Sequence, residues 1–202
     1  VQLIPRLYDV SSGEVLIGGR NVKEVSLHEL RDKIGVVLQE SILFSGTIES
    51  NIKFGYHDAT DEELDQAARD AQAMEFIQLK ESGYQTEVEQ RGKNLSGGQK
   101  QRVSIARTLI RKPKILILDD SSSALDMATE RQLQEAIKEQ MTGSTVIMIA
   151  QRISAVMDAD QIIVLDQGHI SGIGTHEELL KTNEIYRSIA ISQLGEEAVH
   201  HG

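Results

Sequence analysis

Two features of this 202-residue chain could do chemistry, and both lie between Asn94 and Asp126, in NLSGGQKQRVSIARTLIRKPKILILDDSSSALD. The first is Leu95-Ser96-Gly97-Gly98-Gln99 at the opening of a helical pattern. Ser96 and the two glycines let bare backbone N–H groups, at the positive end of a helix dipole, close on an anion such as phosphate. The second is the acidic pair Asp119-Asp120, which ends the apolar run Ile115-Leu116-Ile117-Leu118. A run that is short and apolar on both faces predicts a buried strand. A carboxylate at the end of such a strand sits where open α/β sheets bind ligands. An anion-binding turn and a magnesium-type acidic pair on one chain point to nucleoside triphosphate chemistry. Spacing and composition alone give a phosphate-binding α/β protein.

Several elements must position these groups. After the glycines, Val103, Ala106, Leu109 and Ile110 predict the buried side of a helix, and Lys100, Arg102, Arg107 and Arg111 a solvated one. Ile34 to Leu38 reads as a further buried strand that delivers Gln39, by position alone a loop residue. Thr145 to Ala150 reads as another strand, followed by Gln151. Asp126 stands where an N-cap would start a helix from Met127 to Met141. Ser26 and Thr60, each with a glutamate three residues on, predict two more helix starts. Helical spacing from Asp61 to Ile77 marks a helical segment whose Met74 and Ile77 read as core. Val1, Leu3, Ile4 and Leu7 give the opening helix-like spacing, followed by a Ser-Ser-Gly turn and an edge strand near Val15. Near the end, Ile162 to Asp166 with Gln167-Gly168-His169 predicts a hairpin, Gly172 and Gly174 turn or bulge positions, and Thr175 with Glu178 the start of a last helix. His28, His57, His169 and His176 read as structural, and His200 and His201 as part of an irregular tail.

Composition bounds the rest. With 40% hydrophobic and 26% charged residues, the chain has the make-up of an ordinary globular domain. Its formal net charge of −10 argues against a nucleic-acid-binding surface. No apolar run approaches the roughly 18 residues that would span a bilayer. Cysteine is absent, which is consistent with a reducing compartment.

LSGGQ, the strand ILILDD and SALD, in that order and spacing, resemble the nucleotide-binding domain of ATP-binding cassette (ABC) transporters. The resemblance runs from Val1 to about Leu194. It implies a P-loop-NTPase α/β core with a mixed sheet (residues 1–52 and 114–192), an inserted helical subdomain with the signature (53–113) and a tail (193–202). It implies ATP and Mg²⁺ as ligands. Ser96, Gly97, Gly98 and Gln99 correspond to the signature that clamps a nucleotide, and Asp126 to the D-loop that crosses to the opposite subunit. Asp119 corresponds to the magnesium-coordinating aspartate. Gln39, in VVLQESILFSGTIESNI, corresponds to the Q-loop glutamine, which reaches the metal and the attacking water. The apolar Ile42, Leu43, Phe44 and Ile48 either dock on a membrane domain or pack beneath the neighbouring helices. The segment Thr86 to Gly92 is similar to the exporter X-loop, with Glu89 and Gln90 replacing its usual Gly-Glu.

Three departures from the family carry consequences. Asp120 stands where hydrolytic members have a glutamate that polarises water; it is one methylene shorter, and a misplacement of about 1 Å can cost ~10²-fold. Gln151 stands where a histidine normally contacts the γ-phosphate, and an amide cannot share a proton as imidazole does. The joint change resembles the degenerate half of a heterodimeric exporter. Third, the 202 residues contain no glycine-rich loop ending in Gly-Lys-Ser/Thr; with Val1 as first residue, the expectation is that this loop lies upstream.

The expected function is therefore ATP binding in an ABC exporter at the cytoplasmic face of a membrane, with a second, non-identical nucleotide-binding domain and a transmembrane domain as partners and no nucleic acid. The chain's own site would hydrolyse weakly, and its signature would complete the partner's site. The alternatives are a competent homodimeric exporter, a soluble ABC ATPase outside transport, and a bare interaction module.

Overall fold

The computed structural model describes residues 1–196; His200, His201 and the end of the expected tail lie outside the described residues. Two compact units divide the chain, Val1–Ile149 and Ala150–Gly202.

The first unit runs β1 (Leu16–Ile17), β2 (Arg20–Asn21), α1 (Leu27–Asp32), β3 (Ile34–Val37), β4 (Gly46–Thr47), α2 (Ile48–Ile52), α3 (Asp61–Asp70), α4 (Met74–Gln78), β5 (Glu87–Val88), α5 (Gly97–Leu109), β6 (Ile115–Asp119), α6 (Met127–Gln140) and β7 (Thr145–Ile149). Its centre is a parallel sheet in the order β3-β6-β7. Leu116, Ile117 and Leu118 of the middle strand are at most 1% exposed. Both faces of β6 are covered, so its sequence is an unbroken apolar run. β7 forms the edge, and among the described residues it pairs only with β6. Its Val146 and Ile149 are accordingly left exposed. Two-stranded antiparallel ribbons, β1-β2 and β4-β5, flank this sheet in sequence.

Helices start where side chains replace missing backbone acceptors. Thr60 and Glu63 form a reciprocal capping box on α3, Ser26 accepts from the Glu29 N–H on α1, and Asp126 caps α6. A core of leucine, isoleucine, valine and alanine joins α2, α3, α4, α5 and α6 to one side of the sheet, with Ile77 inside it and Met74 packed against it. The helices expected from Thr60 onward thus exist, but they bury themselves on α5.

Two expectations change. The opening is not a regular helix: Ile4 N–H donates to Val1 O and Leu7 N–H to Gln2 O, while Arg6 has φ 51°. Pro5 supplies no N–H and Arg6 leaves the helical region, so turns replace the ladder. Nor are all the basic residues of α5 on a solvated face. Arg107 donates to the carbonyls of Asn51 and Ile42 at 2.7 and 3.0 Å and lies over the rings of Phe44 and Phe54. Arg102 donates to the Gln72 carbonyl at 2.9 Å and covers Phe76. A guanidinium on an apolar stem can serve carbonyls and aromatic faces together, which spacing alone does not reveal.

The second unit contains β8 (Ile162–Asp166), β9 (His169–Gly174), α7 (His176–Thr182) and α8 (Glu184–Leu194). The hairpin turns at Gln167 and Gly168, both at positive φ. The β8-β9 register shifts between Val164, opposite Gly172, and Leu165, opposite Ile170, so Gly172 adjoins a bulge as expected; it is a packing position too, because a Cβ there would meet Asn183 Nδ2 at 2.6 Å. Thr175 and Glu178 form the expected capping box, but Asn183 ends α7 and caps a further helix, α8. His176 is bonded to the Tyr186 hydroxyl at 2.7 Å, a structural contact.

Among the described residues no helix is long and apolar enough to cross a membrane.

Gly35 shows how tightly the sheet meets α5. A Cβ there would stand 2.6 Å from Thr108 Cγ2 and 2.8 Å from a ring carbon of Pro113. Gly35→Ala should therefore destabilise the chain by about 1–3 kcal/mol in urea unfolding; a change below about 0.5 kcal/mol would contradict this packing.

Candidate functional site

The ends of two neighbouring parallel strands build the site. In the register of β3 on β6, Val37 stands opposite Leu118. Two residues further along each strand come Gln39 and Asp120, and their side chains meet: Gln39 Nε2 donates to Asp120 Oδ2 at 3.0 Å. A carboxylate only accepts, so the amide nitrogen faces Asp120 and the amide oxygen is directed elsewhere. Gln39 is exposed, Asp119 half-buried and Asp120 buried.

Asp120 is held by its backbone as well. Its N–H donates to Ile149 O at 2.8 Å, extending the β6-β7 ladder by one bond. Its carbonyl accepts from Ser123 Oγ at 3.0 Å. Its φ of 47° is left-handed, a region that aspartate and asparagine tolerate better than most residues. The strand therefore ends on a sharp reversal that fixes where the carboxylate begins. A turn role and the role facing Gln39 coexist in one residue.

The glycine-rich end of α5 lies beside the loop after β6. Ser96 Oγ accepts from the Gln99 N–H at 3.2 Å, and Gln99 Oε1 accepts from the Ser96 N–H at 3.1 Å. The Ser96 N–H is thus already engaged, which narrows the expected anion-binding edge to the N–H groups of Gly97 and Gly98. The helical ladder does not use those two. The glycines have a second reason to be small: a Cβ on Gly98 would stand 3.1 Å from the Ala124 carbonyl oxygen, and one on Gly97 would be 3.9 Å from Ala124 Cβ. The residues leading to Asp126 therefore press on the first turn of α5.

Asp126 is the cap foreseen from sequence. It accepts from the N–H groups of Ala128 and Thr129 at 3.1 and 3.0 Å and from Thr129 Oγ1 at 2.7 Å. These bonds, Thr129's first, hold its pKa below the usual carboxylate value. Gln151 belongs to the second unit, where its backbone carbonyl accepts from Gln193 Nε2 at 2.8 Å.

Among the described residues no cluster of three or more His, Asp or Glu side chains could hold a metal. Mg²⁺ seldom needs one, since it is commonly held by one or two carboxylates together with substrate phosphates and water. Asp119 and the Gln39 amide oxygen supply oxygen donors of the right kind at the ends of adjacent strands.

The loop that leaves Gln39 contains what spacing did not reveal. Leu43 and Ile48 are buried in the core, while Ile42 and Phe44 are 55% and 46% exposed. The packing reading thus holds for Leu43 and Ile48, while Ile42 and Phe44 stay at the surface. Asn51 is the hub: its Oδ1 accepts from the Phe44 N–H and from Arg107, and its Nδ2 donates to the carbonyls of Phe44 and Thr47. Sequence signal for this role was slight, since Asn51 is one of three polar residues, with Glu49 and Ser50, between Ile48 and Ile52.

The model of the family described as ABC transporter matches residues 1–123. A Staphylococcus aureus protein, described as a candidate multidrug export ATP-binding/permease protein, is 47% identical over 94% of this chain and 33% of its own length. The Dictyostelium discoideum ABC transporter B family member 6 is 49% identical over 92% of this chain and 27% of its own. The solved structure of a bacterial Atm1-family ABC exporter with ATP bound superposes with a TM-score of 0.92 at 41% identity, covering 95% of this chain and 34% of that one. The chain thus spans about a third of the length of these proteins.

Because the Asp126 pKa is depressed, its capping contribution is present above the unfolded value near ~4 and is lost as pH falls through the lower folded value. Asp126→Ala should lower the melting temperature at neutral pH by about 2–4 °C. In acid-titrated thermal melts the gap between the two proteins should close below pH ~4; a gap unchanged down to pH 2 would refute the cap's charged character.

Proposed function

The chain belongs to the ABC transporter family, and on that premise we propose that it is an ATP-binding domain of an exporter, acting in a pair and coupling nucleotide binding and hydrolysis to transport. The observation that carries this reading is the junction of Gln39 with Asp120 beside Asp119, next to a helix whose first turn is Ser96-Gly97-Gly98-Gln99. Similarity over more than nine-tenths of the chain to a candidate export protein and to a solved ABC exporter supports export over other uses of the fold.

In this reading Asp119 and the Gln39 oxygen would hold Mg²⁺, which would supply positive charge against the nucleotide's phosphates. Asp120 faces the attacking water. Its side chain is one methylene shorter than glutamate and already accepts from Gln39, so as a base it is displaced and partly occupied. Gln151 offers a hydrogen bond and no titratable proton near pH 7. The chain's own site therefore binds ATP and turns it over slowly. The N–H groups of Gly97 and Gly98, with Ser96, serve the γ-phosphate held by the second domain, a non-identical one. Residues 53–113 act as the helical subdomain that presents this edge, and residues 1–52 with 114–192 as the core.

Coupling to a membrane domain runs through the Gln39 loop. The stacked rings of Phe44 and Phe54, 4.5 Å apart, together with Ile42, form an exposed apolar patch braced by Arg107. Asn51 ties that patch to the same loop, so a shift at Gln39 reaches it through covalent chain and hydrogen bonds.

Single-turnover hydrolysis in the full transporter tests the assignment. Asp120→Asn, which suits the left-handed backbone, should leave turnover within about twofold, while removing the partner domain's base should lower it at least ~10³-fold. The opposite pattern would make this chain's site the competent one and favour the homodimeric reading.

A further inference from the structure

Gln101 is 3% exposed although its side chain ends in an amide. A buried amide is costly unless its hydrogen bonds are made. Its partners lie on the Gln39 loop: Ser41 Oγ donates to Gln101 Oε1, and Gln101 Nε2 faces the Leu38 carbonyl oxygen at 3.5 Å. The second contact is at the long limit for a hydrogen bond, so Ser41 carries the greater share. The two contacts bracket Gln39, one residue before it and two after.

On the other side, Gln101 belongs to the turn of α5 that the Ser96-Gln99 capping box begins. A rigid helical turn therefore connects the glycine edge to the backbone on either side of Gln39. Gln39 itself is exposed, and among the described residues its side chain is bonded to Asp120. Without anchors at Leu38 and Ser41, nothing in the loop's apolar packing at Leu43 would specify where the amide points. An apolar residue at 101 could fill the same space but could not hold the loop by direction.

We propose that Gln101 is a positioning residue. Through Ser41 and Leu38 it sets the Gln39 amide against Asp120, and it ties the metal side of this chain's own nucleotide site to the glycine edge that serves the partner. The inference deepens the functional reading above and rests on it.

The test uses the full-length transporter. Photolabelling of this chain by an azido analogue of ATP is titrated with Mg²⁺, and hydrogen exchange over residues 38–45 is followed without nucleotide. Gln101→Met and Ser41→Ala should each raise the Mg²⁺ concentration for half-maximal labelling by about tenfold. Both should speed exchange in that loop, and the double variant should be no worse than Gln101→Met alone. Labelling at saturating Mg²⁺ should stay unchanged, while Ser41→Ala, which leaves the buried Gln101 oxygen without its donor, should lower the melting temperature by a few degrees. Ser41→Thr keeps the hydroxyl and should match the unmodified protein in both readouts. This Ser41 pair carries the test should Gln101→Met fail to fold. Midpoints and exchange unchanged in Ser41→Ala, or Ser41→Thr as impaired as Ser41→Ala, would overturn the role of Gln101. Failure of the unmodified chain to label would instead overturn the functional reading, and the inference with it.

Discussion

The hydrogen bond from Gln39 to Asp120 depends on strand register, and the rest of the site depends on it. Parallel pairing sets Val37 beside Leu118, so the residues two further on leave the sheet together. A slip of one residue would turn one of them to the other face. Register is secured because β6 is buried on both sides and because Gly35 admits Thr108 and Pro113 so closely that no other residue fits. Packing deep in the sheet thus decides where an exposed amide and a buried carboxylate meet at its end.

The same logic places the glycine edge. Helix α5 lies on the sheet through Val103, Ile105 and Ala106, none of them exposed, and its first turn is pressed by Ala124 from the loop that follows Asp120. The acidic strand end and the Ser-Gly-Gly turn are therefore two ends of one rigid arrangement. A nucleotide-driven change at either has a short physical path to the other, through Ala124 on one side and Gln101 on the other. This fits a family in which two domains share their nucleotides. On the proposal that this chain's own site hydrolyses weakly, the same path would give that site a use, because binding there would set the geometry of the edge offered to the proposed partner.

Much of this was legible in the sequence where one local rule dominates. The run Ile115 to Leu118, the helix starts at Thr60, Asp126 and Thr175, and the hairpin at Gln167-Gly168 follow from burial, capping and turn chemistry within a few residues. Arg107 and Gln101 were not legible, because their partners lie tens of residues away, and Asn51 was not, because its partners are backbone groups of a loop and one distant arginine; all three side chains suit either solvent or carbonyl groups. The opening misled for the opposite reason: its apolar spacing is helical, but Pro5 and the left-handed Arg6 break the ladder. Gln39 was picked out by resemblance, whereas its contact with Asp120 needed the register.

The central claim is that this chain's glycine edge completes a site built on another domain. The structure of the full transporter closed on Mg-ATP measures it directly, as the distance from Ser96 Oγ and the Gly98 nitrogen to the nearest γ-phosphate. The account predicts hydrogen-bond contact, about 3 Å, with the nucleotide held by the partner domain. A closed assembly in which Ser96 lies far from every nucleotide, or contacts only one bound by its own chain, would contradict it.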